Sequence, residues 1–275
     1  MAQGMWEDDL ETRARRRVAW LVGIVLAAAV GVGVWYWYEG RQRAAPAPPA
    51  LTAAPAAPPA ASAEGQISHP IPAEAGGAAA LPALNDSDQV AYDSLAGALG
   101  KAAVEKYLVP QNIVRHIVVT VDNLPRHRVA VELRPVKPTA GQPATATQGD
   151  ITTLGEANFE RYAPLVRVVQ ATDVKALAVV YERLYPLFQQ AYEDLGYPGK
   201  YFNDRLVEVI DNLLETPEVA GPIQLVQPKV LWEYADKSLE GRSAGQKLLI
   251  RMGAANARVI KAKLREFRAE IVKKK

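Results

Sequence analysis

Polar and apolar positions along the chain fall into three regimes. The first is an uninterrupted apolar run, Val18 to Tyr38, with twenty-one residues and no charge. At about 1.5 Å per residue it is long enough for a hydrocarbon layer about 30 Å thick. Trp20 near one end, and Trp35, Tyr36, Trp37 and Tyr38 at the other, are the side chains that settle at headgroup level. A transmembrane helix over 18–38 is predicted. Gly23, Ala27 and Gly31 share one of its faces, which either admits a second helix or reflects how common small residues are in spans. The second regime, 39–84, has no period: Ala and Pro dominate, and a disordered, extended tether is expected.

Periodicity begins at Asn85 and defines a head over 85–275. Val90, Leu95 and Leu99 predict a short helix, started by Asp86 or Ser87 and stopped by Gly100. Ile113, Ile117 and Val121 recur every four residues in a β-branched stretch that also suits a strand; the spacing is read as helix. Val129, Val131 and Leu133 alternate, and Gly149-Asp150 divides two Thr-rich runs, so a hairpin or small sheet is expected there. Helical spacing returns over 156–171 and 173–195, then in a helix carrying Phe202, Leu206, Val209 and Leu213, with Gly196, Pro198 and Gly199 between the last two. The stretch 223–234 extends the sheet. Residues 237–252 read as one helix capped by Asp236; Gly253 breaks it, and Ile260, Leu264, Phe267 and Ile271 form the buried stripe of a last helix. The expected fold class is mainly α: a single helical head domain with a small β-hairpin or sheet, preceded by one transmembrane helix and an Ala/Pro-rich tether.

Charge adds an orientation. Arg13, Arg15, Arg16 and Arg17 precede the span and only Arg41 and Arg43 follow it before Lys101, which puts residues 1–17 in the cytoplasm and the head outside. A cleaved signal peptide has a shorter apolar core ending at small residues, so a retained signal-anchor is preferred. Within the head, residues 85–250 hold 17 basic and 21 acidic groups, whereas 251–275 hold nine basic and two acidic. The basic end is a solvated face, or a contact for anionic lipid or an acidic partner. No nucleic-acid partner is expected outside the cytoplasm.

Candidate chemistry is sparse. The absence of cysteine removes disulfides, thiol catalysis and Cys-ligated metals. "GRSAG", 241–245, fits the nucleophile-elbow pattern by letter, but His69, His116 and His127 all precede it, and its surroundings read as helix. His116 and His127 lack metal-ligand spacing, and "GYPGK" lacks the gap and hydroxyl of a phosphate loop. No cofactor and no metal are expected. Glu193, Asp194, Asp204 and Glu208 remain as carboxylates for glycan chemistry, which needs one protonated and one ionised group.

Binding has more support. Tyr181, Tyr185, Phe188 and Tyr192 form one stripe, read first as core and alternatively as a groove for peptide or glycan. In "GYPGKYFNDRLVEVIDNLL", 196–214, Asn203 or Asp204 stands where a helix cap belongs, and Arg205 can pair with Glu208. The alternative is a ligand or partner surface made by Tyr201, Asn203, Asp204, Arg205 and Glu208 beside Tyr185 and Tyr192.

The stretches "YLVPQNIVRHIVVTVDNLPR", "RLYPLFQQAYEDLGYPGKYFNDRLVEVIDNLL", "IQLVQPKVLWEYAD" and "SAGQKLLIRMG" resemble a bacterial family of single-span membrane proteins catalogued as a domain of unknown function. The resemblance implies a bacterial inner-membrane, single-pass protein with a periplasmic domain, and it supplies no catalytic residue. The function expected is therefore a non-catalytic scaffold or adaptor that binds an envelope protein or cell-wall component. A glycan-acting enzyme using paired carboxylates, and an oligomerisation module forming a homo-oligomer, are the alternatives.

Overall fold

A computed structural model describes residues 67–71 and 80–272 of the chain, all within one unit spanning 61–275. The predicted cytoplasmic segment, the span over 18–38 with its Gly23, Ala27 and Gly31, and most of the tether lie outside the described residues. Among the described residues, no helix is long and apolar enough to cross a membrane.

The described residues form a mainly helical domain of ten α-helices with a small four-stranded antiparallel sheet. The helix α1 is Asp88–Leu99, α2 Lys101–Tyr107, α3 Ile113–Asn123, α4 Glu156–Glu160 and α5 Ala163–Ala171. Next come α6 Val174–Asp194, α7 Phe202–Leu214, α8 Lys237–Glu240, α9 Ala244–Arg251 and α10 Ala254–Ile271. The strands are β1 Thr145–Gln148, β2 Ile151–Leu154, β3 Gln224–Val226 and β4 Glu233–Tyr234, paired in that order.

The central helix is α6. Asp173 caps it by accepting from the amides of Lys175 and Ala176, and apolar spacing then buries Ala178, Tyr181, Leu184, Phe188, Ala191 and Tyr192 along one side. Helices α1, α3, α7 and α10 pack around it. Their share of the core includes Ile113, Val114 and Val118 from α3, Phe202 and Ile210 from α7, and Ile271 from α10. Leu84, Leu81 and Ile71, upstream of the helical spacing, join this core as well. The sheet covers a second cluster, Leu154, Ile223, Leu225, Tyr234 and Ile250.

Most of the expected elements are present. Residues 113–121 are helical, and Ile113, Val114 and Val118 form the buried face, which outweighs strand propensity; the expected stripe residues Ile117 and Val121 are only partly buried. The hairpin turns at Gly149-Asp150, with Gln148 opposite Ile151, and 223–234 adds β3 and β4. Three expectations are corrected. Val129, Val131 and Leu133 form no strand: they are exposed, and Val131–Leu133 is a 3-10 turn followed closely by Pro135 and Pro138. The stretch 156–171 is two helices, since Pro164 has no amide to continue a ladder and instead sits in the first turn of α5. The stretch 237–252 is also two helices, and Ser243 between them caps α9 by accepting from the amide of Gln246. The serine of "GRSAG" is thus a helix cap, donating its own proton to the Asn212 side chain.

Gly253 is required twice over, by its φ of 84° and by the Phe159 ring, which a Cβ would meet at 2.7 Å. Gly253→Ala is expected to cost about 2–3 kcal/mol and to lower the melting temperature by roughly 2–4 °C per kcal/mol. Thermal melting followed by circular dichroism checks this; an unchanged midpoint contradicts it.

Candidate functional site

The first turn of α7 lies against the C-terminal half of α6, and its free amides are capped from there. Phe202 N–H donates to Gln189 Oε1 at 2.8 Å, and Asn203 N–H to the Tyr185 hydroxyl at 3.4 Å. The Gln189 amide nitrogen in turn donates to the carbonyl of Lys200 at 2.8 Å. The N-cap residue is Tyr201, with no side-chain capping bond. This corrects the reading of Asn203 or Asp204 as the cap: they lie two and three residues past it, inside the first turn, and Gln189 and Tyr185 already do that work.

The side chains released from capping meet residues 67–71. Asp204 accepts from the amides of Ser68 at 3.0 Å and His69 at 2.7 Å. The Tyr201 hydroxyl accepts from Ile71 N–H at 2.7 Å. Asn203, with 0 % exposure, donates to the His69 carbonyl at 2.9 Å and to that of Ile271 at 3.3 Å, and accepts from the Tyr181 hydroxyl at 2.9 Å. Pro70, which has no amide to offer, occupies the position that no side chain reads. Ile71 packs its side chain against the main core. Tyr185 supports the arrangement with its ring 5.3 Å from that of Tyr201.

Arg205 points to the opposite side. Its guanidinium contacts Glu208 at 2.8 Å, the Asp122 carboxylate at 3.1 Å and the Asp122 carbonyl at 2.9 Å. Asp122, nearly buried, also holds Arg126 at 2.6 Å and accepts from the Tyr197 hydroxyl at 3.2 Å. Tyr192 stacks on Tyr197 with centroids 4.6 Å apart. The expected Arg205–Glu208 pair is present, and the buried Asp122 between two arginines is the larger part of the network. Of the seven residues singled out in the sequence, Tyr201, Asn203, Asp204 and Tyr185 meet at the docked segment, while Arg205, Glu208 and Tyr192 gather at Asp122.

Burial dominates the electrostatics of the tyrosines. Burial pushes the Tyr181 phenol well up, with the Tyr201 and Asp204 charges adding to the effect. Burial likewise raises Tyr185, with its contact to Tyr201 contributing. Tyr192 is pushed up to about 12, chiefly by burial, with Arg205 partly opposing. Burial pulls the Arg205 guanidinium down, but Glu208 and Asp122 outweigh it and hold it above its ordinary range. These phenols are neutral hydrogen-bonding groups at ordinary pH. The four candidate carboxylates are also engaged: Glu193 accepts from Gln189, Asp194 pairs with Arg115 at 2.9 Å, Glu208 takes Arg205, and Asp204 takes two amides.

Beside the docked segment, Ser68, His69, Asp204, Glu208, Asp211 and Glu215 line an open groove of about 480 Å³ along α7. Arg205 and Arg268 compensate Glu208 and Asp211. Among the described residues, no group of three or more His, Cys, Asp or Glu side chains is placed to hold a metal ion. Sequence reasoning missed Asp122 and the segment 67–71. Asp122 could have been noticed as a lone carboxylate in an apolar helix, and "ISHPI" as a block of larger side chains within an Ala/Pro-rich stretch.

Removing Arg205 leaves a nearly buried carboxylate with Arg126 as its remaining cation. Arg205→Ala is expected to destabilise the domain by about 2–4 kcal/mol, whereas Asp204→Ala, at the edge of the groove, costs about 1 kcal/mol. Denaturant unfolding of both variants checks the ranking, and equal losses contradict it. Because burial raises the phenols of Tyr181, Tyr185 and Tyr192 above the ordinary 10.0, the folded form binds protons more tightly there. Stability is complete below about pH 10 and is lost as pH rises towards the folded-state values. A phenolate absorbance titration should show these three ionising later than exposed tyrosines and together with unfolding. Ionisation of all eleven tyrosines near pH 10 with the fold intact contradicts the burial.

In comparison with known proteins, the family described as "Protein of unknown function (DUF3014)" matches residues 113–268, which includes α3, α6, α7 and nearly all of α10. No curated protein and no solved structure matches. Tyr201, Asn203 and Asp204 lie inside the matched region and the docked residues 67–71 outside it, and with more than half of its length matched the chain belongs to the DUF3014 family.

Proposed function

We propose that the described domain is a non-catalytic binding module, a scaffold or adaptor that holds another component of the bacterial envelope. The observation that carries this reading is the use made of Tyr201, Asn203 and Asp204. Three side chains at one helix start are committed to the backbone of a distant segment rather than to their own helix. A periplasmic head on an inner-membrane anchor is part of the proposal, supported by the uncharged run 18–38 and the arginines before it. Catalysis is disfavoured because the candidate carboxylates are already paired or hydrogen-bonded.

In-cell crosslinking and capture of the full-length protein, beside a Tyr201→Phe/Asp204→Ala variant checked for folding by thermal melting, tests this. The expected result is a partner captured by the wild type and lost from the folded variant. An identical set of captured proteins from both overturns the assignment of the binding surface.

A further inference from the structure

The contacts to residues 67–71 define what else fits there. The amides of Ser68, His69 and Ile71 are accepted, the carbonyl of His69 is donated to, and only the Ile71 side chain enters the core. Reading three amides and one carbonyl selects conformation more than sequence, as in other sites that bind extended peptides through the main chain. The requirements are a bend at the two residues whose amides are read, an unread position that suits proline, and an aliphatic residue after it.

The groove continues beyond the N-terminal half of this segment, since Ser68 and His69 line it and Pro70 and Ile71 do not. Asp204 meets only backbone amides there, and among the described residues Glu215 has no ion-pair partner. The chain's own segment therefore matches the clamp, while of the groove's carboxylates Glu208 and Asp211 are paired with arginines and Asp204 and Glu215 have no side-chain cation among the described residues.

We propose that this clamp and groove recognise a polypeptide segment that bends just ahead of a proline followed by an aliphatic residue, with Lys or Arg on its N-terminal side. Residues 68–71 occupy the clamp in cis as a competitor. The inference rests on the binding-module reading and names its partner's class and its regulation. A tethered occupant acts at an effective concentration of order 1 mM. With an intrinsic Kd of about 0.1 mM for the cis segment itself, that occupant weakens the apparent binding of a competing peptide about tenfold.

The test uses full-length protein in detergent and two fluorescent peptides, QISHPIP and KKSHPIP, with binding followed by anisotropy. The receptors are the wild type, the variant Ser68→Pro/His69→Pro, which removes the two amides that Asp204 accepts, and that variant with Asp204→Ala added. Both proline positions are at the surface edge of the segment, and folding is checked by thermal melting. KKSHPIP should bind the double-proline variant about tenfold tighter than the wild type, and tighter than QISHPIP at low salt. Adding Asp204→Ala should reverse the gain. No saturable binding of either peptide to the wild type or to the double-proline variant overturns the proposal, as does binding indifferent to Asp204→Ala. Capture in cells that depends on Asp204, without peptide binding in vitro, would overturn the peptide class and leave the binding module standing.

Discussion

Asn203 has no exposed surface, so every hydrogen bond of its carboxamide must be met inside the protein. An unmet amide in an apolar interior costs about 2–7 kcal/mol, which makes its three partners constraints on the fold. Tyr181 comes from the central helix, the Ile271 carbonyl from the end of α10, and the His69 carbonyl from a segment more than 130 residues earlier in the chain. One side chain therefore fixes where α6, α7 and α10 converge and leaves one donor pointing outward. That outward donor needs an acceptor, so the departure of residues 68–71 favours either water or another backbone carbonyl in the same place.

The opposite side of α7 is made rigid by charge. Asp122 sits between Arg126 and Arg205, and Arg205 reaches both its carboxylate and its carbonyl. A buried carboxylate is tolerated only where such partners compensate for lost hydration, and the geometry tolerates little displacement. The helix start is thus held from behind by ion pairs and from below by the Gln189 and Tyr185 caps. With these tasks assigned elsewhere, Tyr201 and Asp204 are free to face an incoming chain.

Much of this fold was legible because it follows from periodicity. The stripes on α6 and α7 place most of their buried residues directly, the four-residue spacing gives α3 as a helix though its buried face is Ile113, Val114 and Val118, and the Gly149-Asp150 turn locates the hairpin. The misplaced strand has a plain cause: Val129, Val131 and Leu133 alternate with no partner strand to bury them, and alternation alone does not provide one. The site was half legible. Its residue types were visible at 201–208, but local sequence could not separate a cap from a clamp, because the residues that decide the matter, Gln189, Asp122 and Ser68–Ile71, are brought there by tertiary structure.

The central claim is that the backbone of Ser68, His69 and Ile71 is held by the side chains of α7. Amide hydrogen exchange of the full chain, resolved for these three residues, measures this most directly. Their protection should fall markedly on Asp204→Ala while the amides within α6 and α7 keep theirs, because only the clamp is opened. Exchange at unprotected rates in the wild type, or protection that does not respond to Asp204→Ala, would contradict the account.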